Sequence, residues 1–266
     1  MSELTLDPIT KLSRDLRKAA ATLGTREARY FVNTYYDLQD YRIASANQQR
    51  KLLEGEEPGE LMSWLNTNLQ VLEKQIHAML DKYSAAQPMG VWAREIVGIG
   101  PVISAGLLAH IDITKAPTAG HIWSFAGLNP EKKWNKGEKR PWNASLKRLC
   151  WLMGESFVKF SGHKDDVYGK LYLQRKDYEA KKNESGGFQT ECQRRLTEPS
   201  AKKLDPDLKA LLATGKLPAK ALHEHSKRWT VKIFLSHWHA EAYRKHYGTE
   251  PPKPYPIAIL GHAHQI

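Results

Sequence analysis

Cysteine is nearly absent from this chain. Cys150 and Cys192 are its only two. They are too few for a disulfide framework and no zinc site by themselves, so a reduced, cytoplasmic setting is expected. No apolar run is long enough to span a bilayer. The opening "MSELTLDPITKLSRDLRK" lacks the hydrophobic segment of a secretion signal, and no membrane association is expected. A phosphate-loop lysine motif and a dinucleotide fingerprint are both missing, and no cofactor is expected. Basic excess is lacking in one half only: residues 1–130 hold 13 lysines and arginines against 14 acids, whereas residues 131–266 hold 27 against 15. The whole of the +11 net charge therefore follows residue 130. Such segregation points to a polyanionic partner such as nucleic acid; a basic, solvated surface is the alternative.

What is present reads as helix. The 266 residues, 41% of them hydrophobic, suffice for one large domain or two smaller ones. "DPITKLSRDLRKAAATLG" carries a helix cap at Asp7, a proline at the first helical position and a stop at Gly24. From Thr25 to about Leu53, Ala28, Phe31, Tyr35 and Leu38 recur by threes and fours. After the acidic break "EGEEPG", Leu61, Leu65, Leu69, Leu72, Ile76, Met79 and Tyr83 repeat as the seam of a coiled coil. The two helices form an antiparallel hairpin that either closes on itself or pairs with a second copy. "SAAQPMG", Ser84 to Gly90, reads as a linker. Near the C-terminus, "SKRWTVKIFLSHWHAEAYRKHYG" predicts an amphipathic helix with Trp229, Ile233, Phe234, His237, Ala240 and Tyr243 on one face and Gly248 as its stop. The fold class is all-α, or nearly so. A coiled-coil hairpin is expected over 1–85, a helix-hairpin-helix domain over 86–162, and a basic helical extension with a proline-rich tail over 163–266.

The stretch "REIVGIGPVISAGLLAHI", Arg94 to Ile111, places Gly-Ile-Gly-Pro between apolar runs. Gly98 and Gly100 can adopt angles closed to other residues, and Pro101 suits the first position of a helix. Without side chains in the way, the main-chain N–H groups of Gly98, Ile99, Gly100 and Val102 would face outward beside a helix dipole, where a DNA phosphate can approach. A tight turn between core helices is the alternative. The following loop, "EKKWNKGEKRPWNA", carries Lys132, Lys133, Lys136, Lys139 and Arg140 with Trp134 and Trp142 interleaved, and Lys147 and Arg148 continue it onto the next helix. Lysines grip phosphates in a salt-dependent way, and tryptophans offer faces for stacking; a solvated loop with inward tryptophans is the alternative.

The segment "IVGIGPVISAGLLAHIDITKAPTAGHIWSFAGLNP" resembles the C-terminal domain of the insertion-sequence one-ten type transposases, the bridge-RNA-guided recombinases. Phe125, Ala126, Gly127, Leu128 and Pro130 match that family's Gly-Leu-x-Pro segment, and Asn143, Leu146 and Lys147 or Arg148 stand where its next helix opens. The resemblance covers roughly residues 60–160. It implies DNA binding in transposition or recombination, carriage on a mobile genetic element, pairing through the coiled coil, and structured RNA as a further partner. It also implies a RuvC-like nuclease domain and a loop serine. Residues 1–85 read as helix without a hydrophobic strand ending in Asp, and the loop contains no serine. Ser145, the nearest, sits where a helix cap is the ordinary role.

The eleven histidines include the pairs His223/His225, His237/His239 and His262/His264. On a helix, positions two apart point to different faces, so no metal site is expected, and His237 reads as a core residue. Asp112, Glu155, Asp165 and Asp166 could hold a metal ion only if the fold gathered them; Asp165-Asp166 reads as a helix start. The leading expectation is a DNA-binding protein of transposase ancestry lacking the nuclease half. The alternatives are a strand-transfer subunit served by a separate nuclease chain, and a non-catalytic protein whose basic half meets an acidic protein.

Overall fold

The computed structural model describes residues 11–55, 59–130 and 132–252. Every regular element among them is helical, as the 3.6-residue patterning predicts. The chain divides into two compact units, Met1–Glu95 with Ile99–Thr114, and Ile96–Gly98 with Lys115–Ile266.

The first unit is built on a helical hairpin. Helix α1, Arg14–Ala19, is capped by the Ser13 hydroxyl, which accepts from the Leu16 amide at 3.2 Å. Asp7, the cap expected from sequence, lies outside the described residues. A short 3₁₀ turn and Gly24 separate α1 from α2, Thr25–Glu54, which runs antiparallel to α3, Glu60–Ala85. Their pairing is fixed near the middle by Arg42, whose guanidinium bonds the buried Glu73 carboxylate, and further out by Gln49 donating to Ser63 at 2.5 Å.

The predicted seam is buried only toward one end. Ile76, Met79, Leu80 and Tyr83 pack with Ala28, Val32, Val102, Ala105 and Ala109, whereas Leu61 is 76% exposed and Leu65 is exposed as well. The reason is that α5, Pro101–His110, covers the inner end alone. Ser84–Gly90, read from composition as a linker, is a packed corner leading into α4, Pro88–Arg94. A Cβ on Gly90 would strike the Ser84 carbonyl, and the Gly90 carbonyl accepts the Ser104 hydroxyl at 3.2 Å.

The second unit is assembled around α11, Ala219–Tyr247. Preceding it are α6, Ala119–Phe125; α7, Ala144–Lys159; α8, Tyr168–Glu184; α9, Gln189–Thr197; and α10, Pro206–Ala213. Phe157 of α7, Tyr168 of α8 and Phe234 of α11 interlock, the first two stacked with centroids 4.8 Å apart. Asp166 starts α8 as expected, its carboxylate accepting from the Gly169 and Lys170 amides at 2.9 Å. Gly248 ends α11 in the left-handed conformation, φ +70°. The buried face of α11 is rotated from the expected one. It centres on Lys227, Val231, Phe234, Leu235 and Trp238, while Trp229, Ile233, His237, Ala240 and Tyr243 are half-buried. Partners on both α7 and α8 set that face, and no pattern within the helix encodes them. Segment 163–226, part of the expected basic helical extension, contains its own small core of Phe188, Cys192, Leu212, Leu217 and Leu222. Both cysteines are buried and unbridged; burial pushes the Cys150 thiol up to about 12, so it stays protonated.

His110, at the end of α5, is buried, and neither ring nitrogen bonds a described residue. Burial, aided by the Arg29 guanidinium, pushes its pKa down to about 4. The unfolded chain then binds a proton that the folded one refuses between about pH 6.5 and 4, and stability falls as pH drops through that window. We expect His110→Leu to remove up to about 3 kcal/mol of this pH dependence, measured by urea unfolding at pH 7.5, 5.5 and 4.5. An unchanged slope of stability against pH in the variant would refute the assignment.

Candidate functional site

The turn between α4 and α5 is held from two directions. Gly98 has φ +92°, a conformation that favours glycine. Its carbonyl accepts the Ser156 hydroxyl at 2.6 Å, and a Cβ there would press on the Phe157 ring at 3.3 Å. Ile99 is 4% exposed and anchors the bend. Gly100 differs from expectation: its φ of −87° and ψ of 178° are extended backbone open to any residue, and are the geometry favoured before proline. A Cβ on Gly100 would meet no protein atom within 4 Å. A side chain there would obstruct only something arriving from outside.

Pro101 occupies the first position of the ten-residue α5, as predicted. No described residue accepts a hydrogen bond from the amides of Gly98, Ile99, Gly100, Val102 or Ile103. Val102 itself is buried. The turn thus leaves N–H groups without an acceptor among the described residues at a helix start, where the macrodipole favours an anion.

The second element is the loop between α6 and α7. Its start is a helix stop of the Schellman type: the Gly127 amide donates to the Ser124 carbonyl at 3.2 Å, and that of Leu128 to the Trp123 carbonyl at 2.8 Å. Gly127 has φ +67°, and a Cβ on it would lie 2.7 Å from the Trp142 ring. The Ala-Gly-Leu stretch therefore both ends α6 and seats a tryptophan.

On that seat the cations are arranged. The Lys147 ammonium lies 4.3 Å from the Trp142 ring centroid, the Arg140 guanidinium 4.6 Å from that of Trp134, and the two indoles meet edge to face at 6.3 Å. Trp134 also donates to the Glu138 carbonyl at 2.8 Å. The tryptophans accordingly hold cations in place. Lys132, Lys133, Lys136, Lys139, Arg140, Lys147 and Arg148 are all exposed; Glu131 lies outside the described residues. Burial of its ammonium, then the positive charges of Arg228 and Arg140, lowers the Lys147 pKa.

Helix α7 is capped by Asn143, whose side chain accepts from the Leu146 amide at 2.8 Å. Ser145, given that role from sequence, instead stands in the first turn without a hydrogen-bond partner among the described residues.

The histidines are tied into packing. His239 bonds the Ala116 carbonyl at 2.8 Å, and His237 and His223 bond Tyr168 and Tyr172 at 2.7 Å. His225 turns instead toward Glu179 and Glu191, so the two members of His223/His225 serve different neighbours. His262 and His264 lie outside the described residues. Asp112, Asp165 and Asp166 join no group able to share a metal among the described residues. Glu155, His223 and Glu224 do converge, with ligand atoms within 4.8 Å. The Lys227 ammonium already bridges both carboxylates, at 2.8 Å to Glu224. Sequence reading missed this lysine, because the inward face of α11 is set by its partners and carries no signal within the helix.

Residues 93–149 match the family model described as Transposase IS116/IS110/IS902 family, about a fifth of the chain. No curated protein and no solved structure matches it. The matched segment, which is similar to a transposase domain of the IS110 type, spans the α4–α5 turn, the Gly127 stop and the lysine loop. Among the described residues, no helix is long and apolar enough to cross a membrane.

Gly127→Ala should cost about 2 kcal/mol through left-handed strain and the displaced Trp142 ring, read by urea unfolding with indole fluorescence. Wild-type stability in the variant would contradict the seating of Trp142.

Proposed function

We propose that this protein binds DNA in transposition or recombination, gripping backbone phosphates through the amides of Gly98, Ile99, Gly100 and Val102 and through the cations of the α6–α7 loop. The observation that carries this reading is the overlap between the transposase match and the bare main-chain amides of the turn. The turn would act as a helix-hairpin-helix, giving position without sequence information. Lys132, Lys133, Lys136, Lys139, Arg140, Lys147 and Arg148 supply the salt-dependent grip. Trp134 and Trp142 act in this scheme by orienting cations. Segment 86–162 is then the transposase-like domain, set between the hairpin of 1–85 and the extension of 163–266.

The outer part of the α2–α3 hairpin, with Tyr41, Ile43, Leu61, Trp64 and Leu65 exposed, supports pairing with a second copy as a coiled coil. Structured RNA is a further partner consistent with the basic half.

Gly100 makes the test clean. Its extended backbone accepts valine, and the site around its missing Cβ is open, so Gly100→Val should leave helical content unchanged while weakening duplex DNA binding about tenfold, or roughly 1.4 kcal/mol. Wild-type affinity in a folded variant would end the turn model. Affinity of the unmodified protein should also fall steeply with rising salt; a flat response would favour an acidic protein as partner.

A strand-transfer role is the second reading, favoured by Ser145 standing without a hydrogen-bond partner among the described residues in the first turn of α7. Covalent protein–DNA adducts formed with a nuclease-supplying chain, and lost in Ser145→Ala, would support it. Adducts that persist in the variant would exclude Ser145 as the nucleophile.

A further inference from the structure

Helix α11 lies wholly outside the segment that matches the transposase family. Its cations fall into two classes. Lys227 bridges Glu155 and Glu224, Arg244 pairs with Glu241 and Glu250, and Lys245 pairs with Glu241. Lys220 and Arg228, exposed, and Lys232, half-buried, pair with no carboxylate of the described residues; of these, Arg228 and Lys232 lie near α6 and α7.

These two stand beside the cations of the matched segment. The Trp123 indole of α6 donates to the Lys232 carbonyl at 3.0 Å, and the Lys232 ammonium lies 5.2 Å from the Trp123 ring centroid. On α7, Gly154 lets the stem of Lys227 pack closely, a Cβ there falling 2.6 Å from the Lys227 Cγ, and the Lys227 ammonium lies 5.1 Å from the Trp151 ring. Arg228, the next residue, is close enough for its charge to act on Lys147. Burial, then the charge of Arg228, lowers the Lys232 pKa, and Arg228 also presses on Lys147. Arg140, Lys147, Arg228 and Lys232 thus form a like-charged group drawn from one loop and two helices, with each lysine over a tryptophan. Such a group is self-repelling in the free protein, and an anion placed among its members relieves that repulsion.

We infer that Arg228 and Lys232 extend the DNA-backbone surface from the transposase-like segment onto α11, each contacting a phosphate of duplex DNA. The inference rests on the DNA-binding reading above. It adds to that reading two residues from the C-terminal extension, and it explains why that extension packs its least compensated cations against α6 and α7.

The test is the salt dependence of binding to a fluorescent DNA duplex, using the full chain. The double variant Arg228→Gln/Lys232→Gln should lower the slope of log affinity against log salt by about 1.8, at about 0.9 per phosphate contact. Lys220→Gln, an exposed cation near the start of the same helix, should leave the slope unchanged. Lys232→Arg should also leave it unchanged, because the charge is kept. Arg228 is exposed, so Arg228→Gln alone should fold and lower the slope by about 0.9. If Lys139→Gln/Arg140→Gln lowers the slope but folded Arg228→Gln does not, the α11 assignment is overturned and the DNA-binding reading stands. If the unmodified chain binds polyglutamate and not the duplex, both fall.

Discussion

The bend at Gly98–Pro101 depends on a division of labour within four residues. Gly98 supplies the left-handed backbone, with its carbonyl held by Ser156 and its bare Cα against Phe157. Ile99 sinks its side chain into protein, and Pro101 starts α5 without needing its amide bonded. Because anchoring is done by a carbonyl and a side chain, none of the turn's N–H groups is consumed. A bend fixed through its amides would be equally rigid, yet it would have nothing to offer a phosphate.

The basic loop obeys a related constraint. A lysine-rich segment in water samples many arrangements, and ordering it costs side-chain entropy. Here the ordering comes from aromatic surfaces. Gly127 ends α6 in a conformation that leaves room for Trp142, Trp142 carries Lys147, and Trp134 carries Arg140. Preorganised cations lose less freedom when an anion arrives. On the other side of α7, Lys227 is compensated by two glutamates. The buried Lys227 is thus neutralised within the chain, whereas Lys147 and Arg140 rest on tryptophan rings.

Helices and their limits were largely legible from residue spacing. Steps of three and four located α2 and α3, Pro101 located the start of α5, and Gly248 the end of α11. The all-helical class and the transposase resemblance followed from the same local evidence, and the matched segment agrees with the latter. Burial was less legible. Leu61 and Leu65 continue the same periodicity as Ile76 and Met79, yet they stay exposed because α5 reaches only the inner end of the hairpin. The inward face of α11 was misplaced for a similar cause, since it answers to α7 and α8 together.

Taken alone, the amino-acid order determines where backbone can be helical, where glycine and proline interrupt it, and that positive charge concentrates after residue 130. These are properties of neighbours along the chain, carried by dihedral preference and composition. Tertiary structure alone decides that Gly98 is held against Ser156 and Phe157, and that Lys227 reaches Glu155 while Arg228 reaches no carboxylate of the described residues. Each of these depends on which distant atom lies within a few ångströms, and sequence separation holds no record of that distance.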